Sequence, residues 1–279
     1  MAKKFKVLYG GECYHPERTV NKNGRLKMMK FPALFFFIEL DSGKKMLFDT
    51  GYSSIFFEAT KKLPFWIYRQ ITKVKLKKEN MAEILSKINI DINEIDYIFI
   101  SHFHPDHIGN LKAFSNAKFI TSKKAYGAVK ELKGLKALKK GFLKEHIPDN
   151  FEERVIFYEE VFTKQHIEEL SEFESVYKLF NEELYAVEIE GHIEGHTGLF
   201  FKINEKKIFL IADAVWRSEE YMNLEYLPKI AKLVFNNFKE YALNLNRIHN
   251  IYKKYENILI IPSHCEKAYS EVKNYENFI

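Results

Sequence analysis

The apolar run Tyr97-Ile98-Phe99-Ile100-Ser101 is followed at once by His102-Phe103-His104-Pro105-Asp106-His107. A short apolar run of this kind reads as a buried strand. Any fold of this chain must therefore put three imidazoles and a carboxylate at one strand end. Burying them together without a cation would leave donors, acceptors and charge unpaired. The chain has ten histidines in 279 residues, so three within six positions is not ordinary scatter. Imidazole and carboxylate suit zinc, iron or manganese. Alternate residues point the same way after a strand, which aims His102 and His104 at one point. Asp106 and His107 follow in the next loop or helical turn and face a second point nearby. The spacing predicts two metals side by side.

Other short apolar runs end in the same residue types. Residues 5–9 read as a first strand, followed by a polar, basic surface loop over 17–30. Residues 33–40 and 45–49 form a hairpin across Asp41-Ser42-Gly43-Lys44, ending in Phe48-Asp49-Thr50-Gly51. Strands are predicted over 117–121 and 154–158. Strand 184–190 leads into Gly191-His192-Ile193-Glu194-Gly195-His196-Thr197-Gly198. A second hairpin, 199–203 and 207–212, ends in Asp213, and strand 258–261 ends in Pro262-Ser263-His264. Helices are predicted over 80–89, where Met81, Ile84, Leu85 and Ile88 recur at helical spacing, through the lysine-rich stretch to Lys144, and over 226–257 and 265–278. A weaker helical pattern covers 167–180. Taken singly, a strand-end Asp is a turn former and a strand-end His an ordinary polar residue. Together, Asp49, His192 or His196, Asp213 and His264 favour a site.

No linker, repeat or low-complexity tract divides the chain, so one domain over 1–279 is expected. Its two sheets should pack face to face with helices outside, and its site should lie at one edge where strand ends converge. A composition of 46% hydrophobic residues is ample for that core. The net charge of +5 is spread among 38 acidic residues, so no nucleic-acid partner is expected. Cys13 and Cys265 form no Cys-x-x-Cys pair, which makes a reducing cytoplasm the default location. The start has no apolar signal core, and the longest apolar run, Ala33–Ile38, is too short to cross a membrane.

The order Asp49-Thr50-Gly51, His102-x-His104-x-Asp106-His107, a Gly-His segment, Asp213 and His264 resembles the metallo-beta-lactamase-fold hydrolase superfamily. The resemblance covers essentially the whole chain, and within the superfamily it is closest to the lactonase and hydroxyacylglutathione hydrolase branch. It implies an α+β fold: a four-layer αββα sandwich of two mixed β-sheets flanked by helices. It implies two divalent metal ions, zinc foremost, with manganese or iron as alternatives. His102, His104 and the Gly-His histidine would hold the first, and Asp106, His107 and His264 the second. Asp213 would bridge them. Asp49 would orient the histidine loop through hydrogen bonds to ligating imidazoles. Gly195-His196-Thr197 matches the family's usual Gly-His-Thr string. The fuller pattern, Gly-His-x-x-Gly-His, instead makes its first histidine the ligand. Strand 184–190 also ends directly before Gly191. His192 is the expected ligand and His196 a neighbour in the pocket or behind it; the plain alternative for His196 is a strand cap.

The implied reaction is attack of a bridging hydroxide on a carboxylic ester, lactone or thioester. Asp106 would act as ligand and as catalytic acid and base. Lactonases carry a Tyr three residues after the bridging Asp. Trp216 stands there in this chain, with an N–H donor but no acidic proton, and reads first as a pocket wall. Residues 55–78 mix Phe56, Phe57, Phe65, Trp66, Ile67 and Tyr68 with seven basic residues. Two short helices, or a helix and a lid, are expected there. The leading reading is packing on the sheet or a homodimer contact. The alternatives are a lid over a small-molecule substrate with an apolar acyl part, with Phe65, Trp66, Tyr68 and Trp216 as pocket residues, or contact with a membrane surface. Two other activities share the site pattern: a mono-iron sulfur dioxygenase and a metal-dependent phosphodiesterase.

Overall fold

The computed structural model describes residues 1–180 and 184–273. Seven strands come first: β1 (Ala2–Pro16), β2 (Met28–Leu40), β3 (Lys45–Phe48), β4 (Lys73–Lys75), β5 (Tyr97–Phe99), β6 (Lys118–Thr121) and β7 (Val155–Phe157). Six follow: β8 (Thr163–Lys164), β9 (Val176–Lys178), β10 (Leu184–Glu188), β11 (Thr197–Ile203), β12 (Lys206–Ala212) and β13 (Ile258–Pro262). The first sheet runs β7-β6-β5-β3-β2-β1, and β4 adds to the far end of β1. The second runs β8-β9-β10-β11-β12-β13. Both are mixed: β3, β5, β6 and β7 are parallel, as are β12 and β13, and the other pairs within each sheet are antiparallel. A single parallel pairing, Ala2 with Ile203, joins the two.

Side-chain alternation along β2 builds the layers. Leu34, Phe36 and Ile38 face the second sheet and pack with Leu199, Phe201, Ile208 and Leu210. Phe35 and Phe37 point the other way, onto Met81 and Leu85 of the helix Met81–Ser86. On the outer face of the second sheet, Phe200, Phe209 and Ile211 meet Tyr241, Leu245, Ile248 and Ile251 of the helix Phe238–Lys254. The result is helix, sheet, sheet, helix. Each fully buried Phe or Leu in it contributes on the order of 1.5–3 kcal/mol.

The loops at one edge are tied down by these helices. Asn237 caps the helix Phe238–Lys254 by accepting from Lys239 N and Glu240 N. Asn237 N also donates to Gly191 O at 2.9 Å, and Asn236 N to His192 O at 2.8 Å. Gly191 has φ +130°, and a Cβ there would lie 2.5 Å from Tyr241 N. Glycine at 191 therefore lets the His192 loop lie directly on the helix start.

Some expected elements differ. β1 is much longer than 5–9, because a register shift between Tyr9 and Glu12 lets pairing with β2 continue past the break in the apolar pattern. The weak helical pattern over 167–180 yields one turn, Glu168–Leu170, and then β9; pairing with β10 overrides it. Residues 226–257 divide into a short 3-10 segment, Lys229–Leu233, and the helix Phe238–Lys254. The last helix runs Glu266–Lys273, and residues 274–278 of the expected span lie outside the described residues. The segment 55–78 holds two short helices, Ile55–Ala59 and Phe65–Ile71, followed by β4. No helix among the described residues is long and apolar enough to cross a membrane.

Candidate metal centre

Strand ends deliver the functional side chains to one edge. Asp49 directly follows β3, in the left-handed region with φ +61°. Ser101 and His102 lie just beyond the end of β5. Pro105 opens the single helical turn Pro105–Ile108, which lifts Asp106 and His107 above the strand end. Ala212, with φ +43°, turns β12 so that Asp213 leaves the sheet. Non-glycine residues in such conformations cost on the order of 1–3 kcal/mol and gather at sites that need a fixed side-chain direction. β13 ends just before His264.

The side chains converge in two groups. His102, His104, His192 and Asp213 form one; Asp106, His107 and His264 form the other. Within the first, His104 Nδ1 lies 3.0 Å from both His102 Nε2 and His192 Nε2. Within the second, His264 Nε2 is 3.2 Å and His107 Nε2 3.7 Å from Asp106 Oδ2. Asp213 touches both groups, at 3.4 Å to His192 Nε2, 3.2 Å to His107 Nε2 and 3.1 Å to His264 Nε2.

Outer hydrogen bonds fix which ring nitrogen faces inward. His104 Nε2 donates to Lys140 O (3.1 Å), His264 Nδ1 to Pro32 O (2.7 Å) and His107 Nδ1 to Asp49 Oδ2 (2.7 Å). Ser101 Oγ donates to Asp49 Oδ2, so its lone pair faces His102 Nδ1 at 3.0 Å. The proton of each of these rings is thus spent on the outside. His102 Nε2 and His104 Nδ1 then meet lone pair to lone pair, which a proton cannot bridge in the neutral rings and a cation can. Tetrahedral ligands at 2.0–2.1 Å from zinc stand about 3.3 Å apart, close to the spacings here. His107 Nε2 and Asp213 Oδ1 are buried 3.2 Å apart, make no well-formed hydrogen bond and have no other hydrogen-bond partner. The donor set therefore fits two divalent metals.

The electrostatics agree. Burial, helped by neighbouring imidazoles, pushes His102 well below the usual histidine range, and burial likewise depresses His192. Burial opposes charge on His107 too, but Asp213, Asp49 and Asp106 outweigh it and raise the ring to about 10. Asp106 is disfavoured by burial yet held ionised by His107 and His264, down to about 2. The second group thus gathers positive charge where a cation would sit.

His196 stands apart. Its Nδ1 donates to Ile189 O at 2.9 Å, and its Nε2 accepts from Asp213 N at 3.1 Å. Both ring nitrogens are occupied, leaving no lone pair for a metal.

A cavity of about 530 Å³ opens over both groups. His104, Asp106, His192, Asp213 and His264 form its floor, and Cys13, Phe31, Tyr52, Tyr68 and Trp216 its walls. Of the four aromatic pocket residues expected from sequence, Tyr68 and Trp216 line it and Phe65 and Trp66 do not. The helix Phe65–Ile71 turns residues 67, 68 and 71 to the cavity; at 100° per residue, Trp66 falls on the opposite face and Phe65 packs into the core. Trp216 is wedged edge-on against His192 and Phe31.

Sequence reasoning passed over Ser101, Cys13, Tyr52 and the carbonyls of Lys140, Pro32 and Ile189. Ser101 was within reach, as a polar residue closing a buried strand beside His102. The carbonyls carry no side-chain signal.

The layered sheets and the histidine-aspartate cluster at their shared edge define a metal-binding αββα sandwich. Residues 30–262 match the metallo-beta-lactamase superfamily, and the chain belongs to that family. Among curated relatives, an N-acyl homoserine lactonase of Bacillus cereus is 26% identical over 55% of this chain and 59% of its own length. The chain thus spans about three-fifths of that enzyme. A Bacillus thuringiensis N-acyl homoserine lactonase is 24% identical over 78% of each chain. An N-acyl homoserine lactone hydrolase, solved with N-hexanoyl-L-homoserine at its catalytic metal centre, superposes with TM-score 0.73 at 19% identity, covering 97% of this chain and 96% of that one. The dizinc quorum-quenching lactonase AidC superposes at 0.59 with 14% identity, over 94% and 87%.

Proposed function

We propose that this chain is a metal-dependent hydrolase that holds two divalent ions, zinc foremost, and cleaves a carboxylic ester, lactone or thioester with an apolar acyl part. The observation that carries this reading is the convergence of seven donor side chains, in two groups sharing Asp213, at the base of an apolar cavity whose floor five of them form. His102, His104 and His192 would hold one ion, Asp106, His107 and His264 the other, and Asp213 both. When bound, such a pair supplies charge to polarise a carbonyl and a nucleophile derived from water at neutral pH.

The chain's own residues do the rest. Asp106, on the cavity floor beside His264, would take up the proton released by the attacking water at its carboxylate and return it to the leaving oxygen or sulfur. Phe31, Trp216, Ile67 and Ile71 receive the acyl part and exclude water. Asp49 and His196 work from behind, on His107 and on the Asp213 backbone. The lactonase relatives support the ester-type substrate.

The test is a hydrolysis screen of zinc-, manganese- and iron-loaded protein on lactones, thioesters, aryl esters and phosphodiesters, with metal counted per chain. Two metals per chain and turnover of an acyl ester class are expected. Asp213→Ala should lower kcat/KM roughly a thousandfold, matching the several kcal/mol of charge stabilisation a metal contributes. One iron per chain, or activity confined to phosphodiesters, would overturn the proposal.

A further inference from the structure

We propose that the rim of the cavity is a docking surface for an anionic lipid bilayer. Leu63, Trp66, Ile71, Leu135, Ile230 and Val234 are 48–72% exposed. They come from three neighbouring segments. Ile71, Ile230 and Val234 line the cavity itself, so their exposure places them at its mouth. Leu63 and Trp66 flank the start of the helix Phe65–Ile71, and Leu135 sits on the helix Gly134–Lys139 that packs against it. Clustered exposed apolar groups around an opening mark an interaction site, where scattered ones do not.

The charge around them selects the partner. Residues 59–73, 132–141 and 226–239 carry eleven Lys and Arg and no Asp or Glu. The whole chain is only +5, so the rest of the molecule is net acidic. Lys62, Lys136, Lys139, Lys229 and Lys232 are exposed; Lys61, also exposed, pairs with Glu58. A symmetric dimer through this face would set each copy's positive charges against the other's. A membrane surface with anionic headgroups meets both features at once: apolar side chains enter the acyl boundary while lysines stay at headgroup level.

The test is co-sedimentation of the full chain with phosphatidylcholine vesicles, with and without about 30% phosphatidylglycerol, a content that gives the surface the negative potential lysines sense. Binding needs neither metal nor turnover, so its failure would leave the hydrolase reading intact. The protein should sediment with anionic vesicles, less at high salt and least with neutral ones, and Trp66 emission should shift to the blue. Trp66→Phe should remove that shift. Lys62→Glu/Lys136→Glu/Lys229→Glu should weaken partitioning roughly a hundredfold or more. Leu63→Asp/Leu135→Asp should weaken it as well. None of these six positions belongs to the donor set, so metal content should be unchanged. Absence of sedimentation with anionic vesicles, or sedimentation unaffected by both variants, would overturn the proposal. So would a solution dimer that Leu63→Asp/Leu135→Asp dissociates.

Discussion

His107 donates its Nδ1 proton to Asp49 Oδ2 across 2.7 Å, with both side chains buried. Ser101 binds the same carboxylate through its backbone N–H at 2.9 Å and its hydroxyl at 2.8 Å. Asp49 thus sets the ring of His107 and, through Ser101, that of His102. Asp49→Ala should weaken metal affinity at the Asp106-His107-His264 group about 10- to 100-fold, the usual cost of losing such an outer partner. It should also cost about 1.5–3 kcal/mol of stability in the metal-free protein, where His107 loses one charged hydrogen bond and keeps Asp213 and Asp106. A chelator-competition titration and urea unfolding measure the two effects. Unchanged affinity would remove Asp49 from that role.

His192 and His196 give opposite expectations. His192 Nε2 faces the first donor group, while both nitrogens of His196 are spent on Ile189 and Asp213. His192→Ala should lose one metal per chain. His196→Ala should keep both and lower kcat through a looser Asp213. Metal counting after dialysis separates them, and the reverse pattern would reassign the ligand.

Gly141 tests how closely the loop after the helix Gly134–Lys139 is fitted to the site. It has φ +60°, and a Cβ would stand 2.8 Å from His104 Cδ2 and 2.9 Å from Nε2. Gly141→Ala should strain the loop, displace the imidazole and break its bond to Lys140 O. The first metal should bind at least about tenfold more weakly while the second is retained, by analogy with other losses of outer support. Equal retention of both would mean the loop can shift without moving His104.

His146 lies outside the site and is wholly buried, with Nδ1 on Gly109 O at 3.3 Å and Nε2 unpartnered. Burial lowers it from 6.5 to about 4. The unfolded chain therefore binds the proton more tightly. Its contribution to stability is complete above pH 6.5 and is lost as pH falls towards 4. A shift of this size makes the protein about 2 kcal/mol less stable at pH 5 than at pH 7 from this residue alone. His146→Phe should flatten that part of the stability profile in urea unfolding; an unchanged slope would assign the acid sensitivity elsewhere.

The sequence alone determined the candidate donors and the strand ends on which they stand. Apolar runs and their alternation are local, so the strands ending at Asp49, His102, Asp213 and His264 could be read one at a time. Their shared context implied one edge. Tertiary structure decided the rest, because it depends on groups far apart in the chain. The sequence pattern already favoured His192 over His196, and only the fold shows why His196 has no free nitrogen: Ile189 O and Asp213 N occupy both. The inward faces of His104 and His264 rest on carbonyls 36 and 232 residues away. The cavity wall rests on the angle at which the helix Phe65–Ile71 meets it, which admits Tyr68 and turns Trp66 to solvent. A backbone carbonyl has the same chemistry at every position, so only the fold can say which ones hold the histidines.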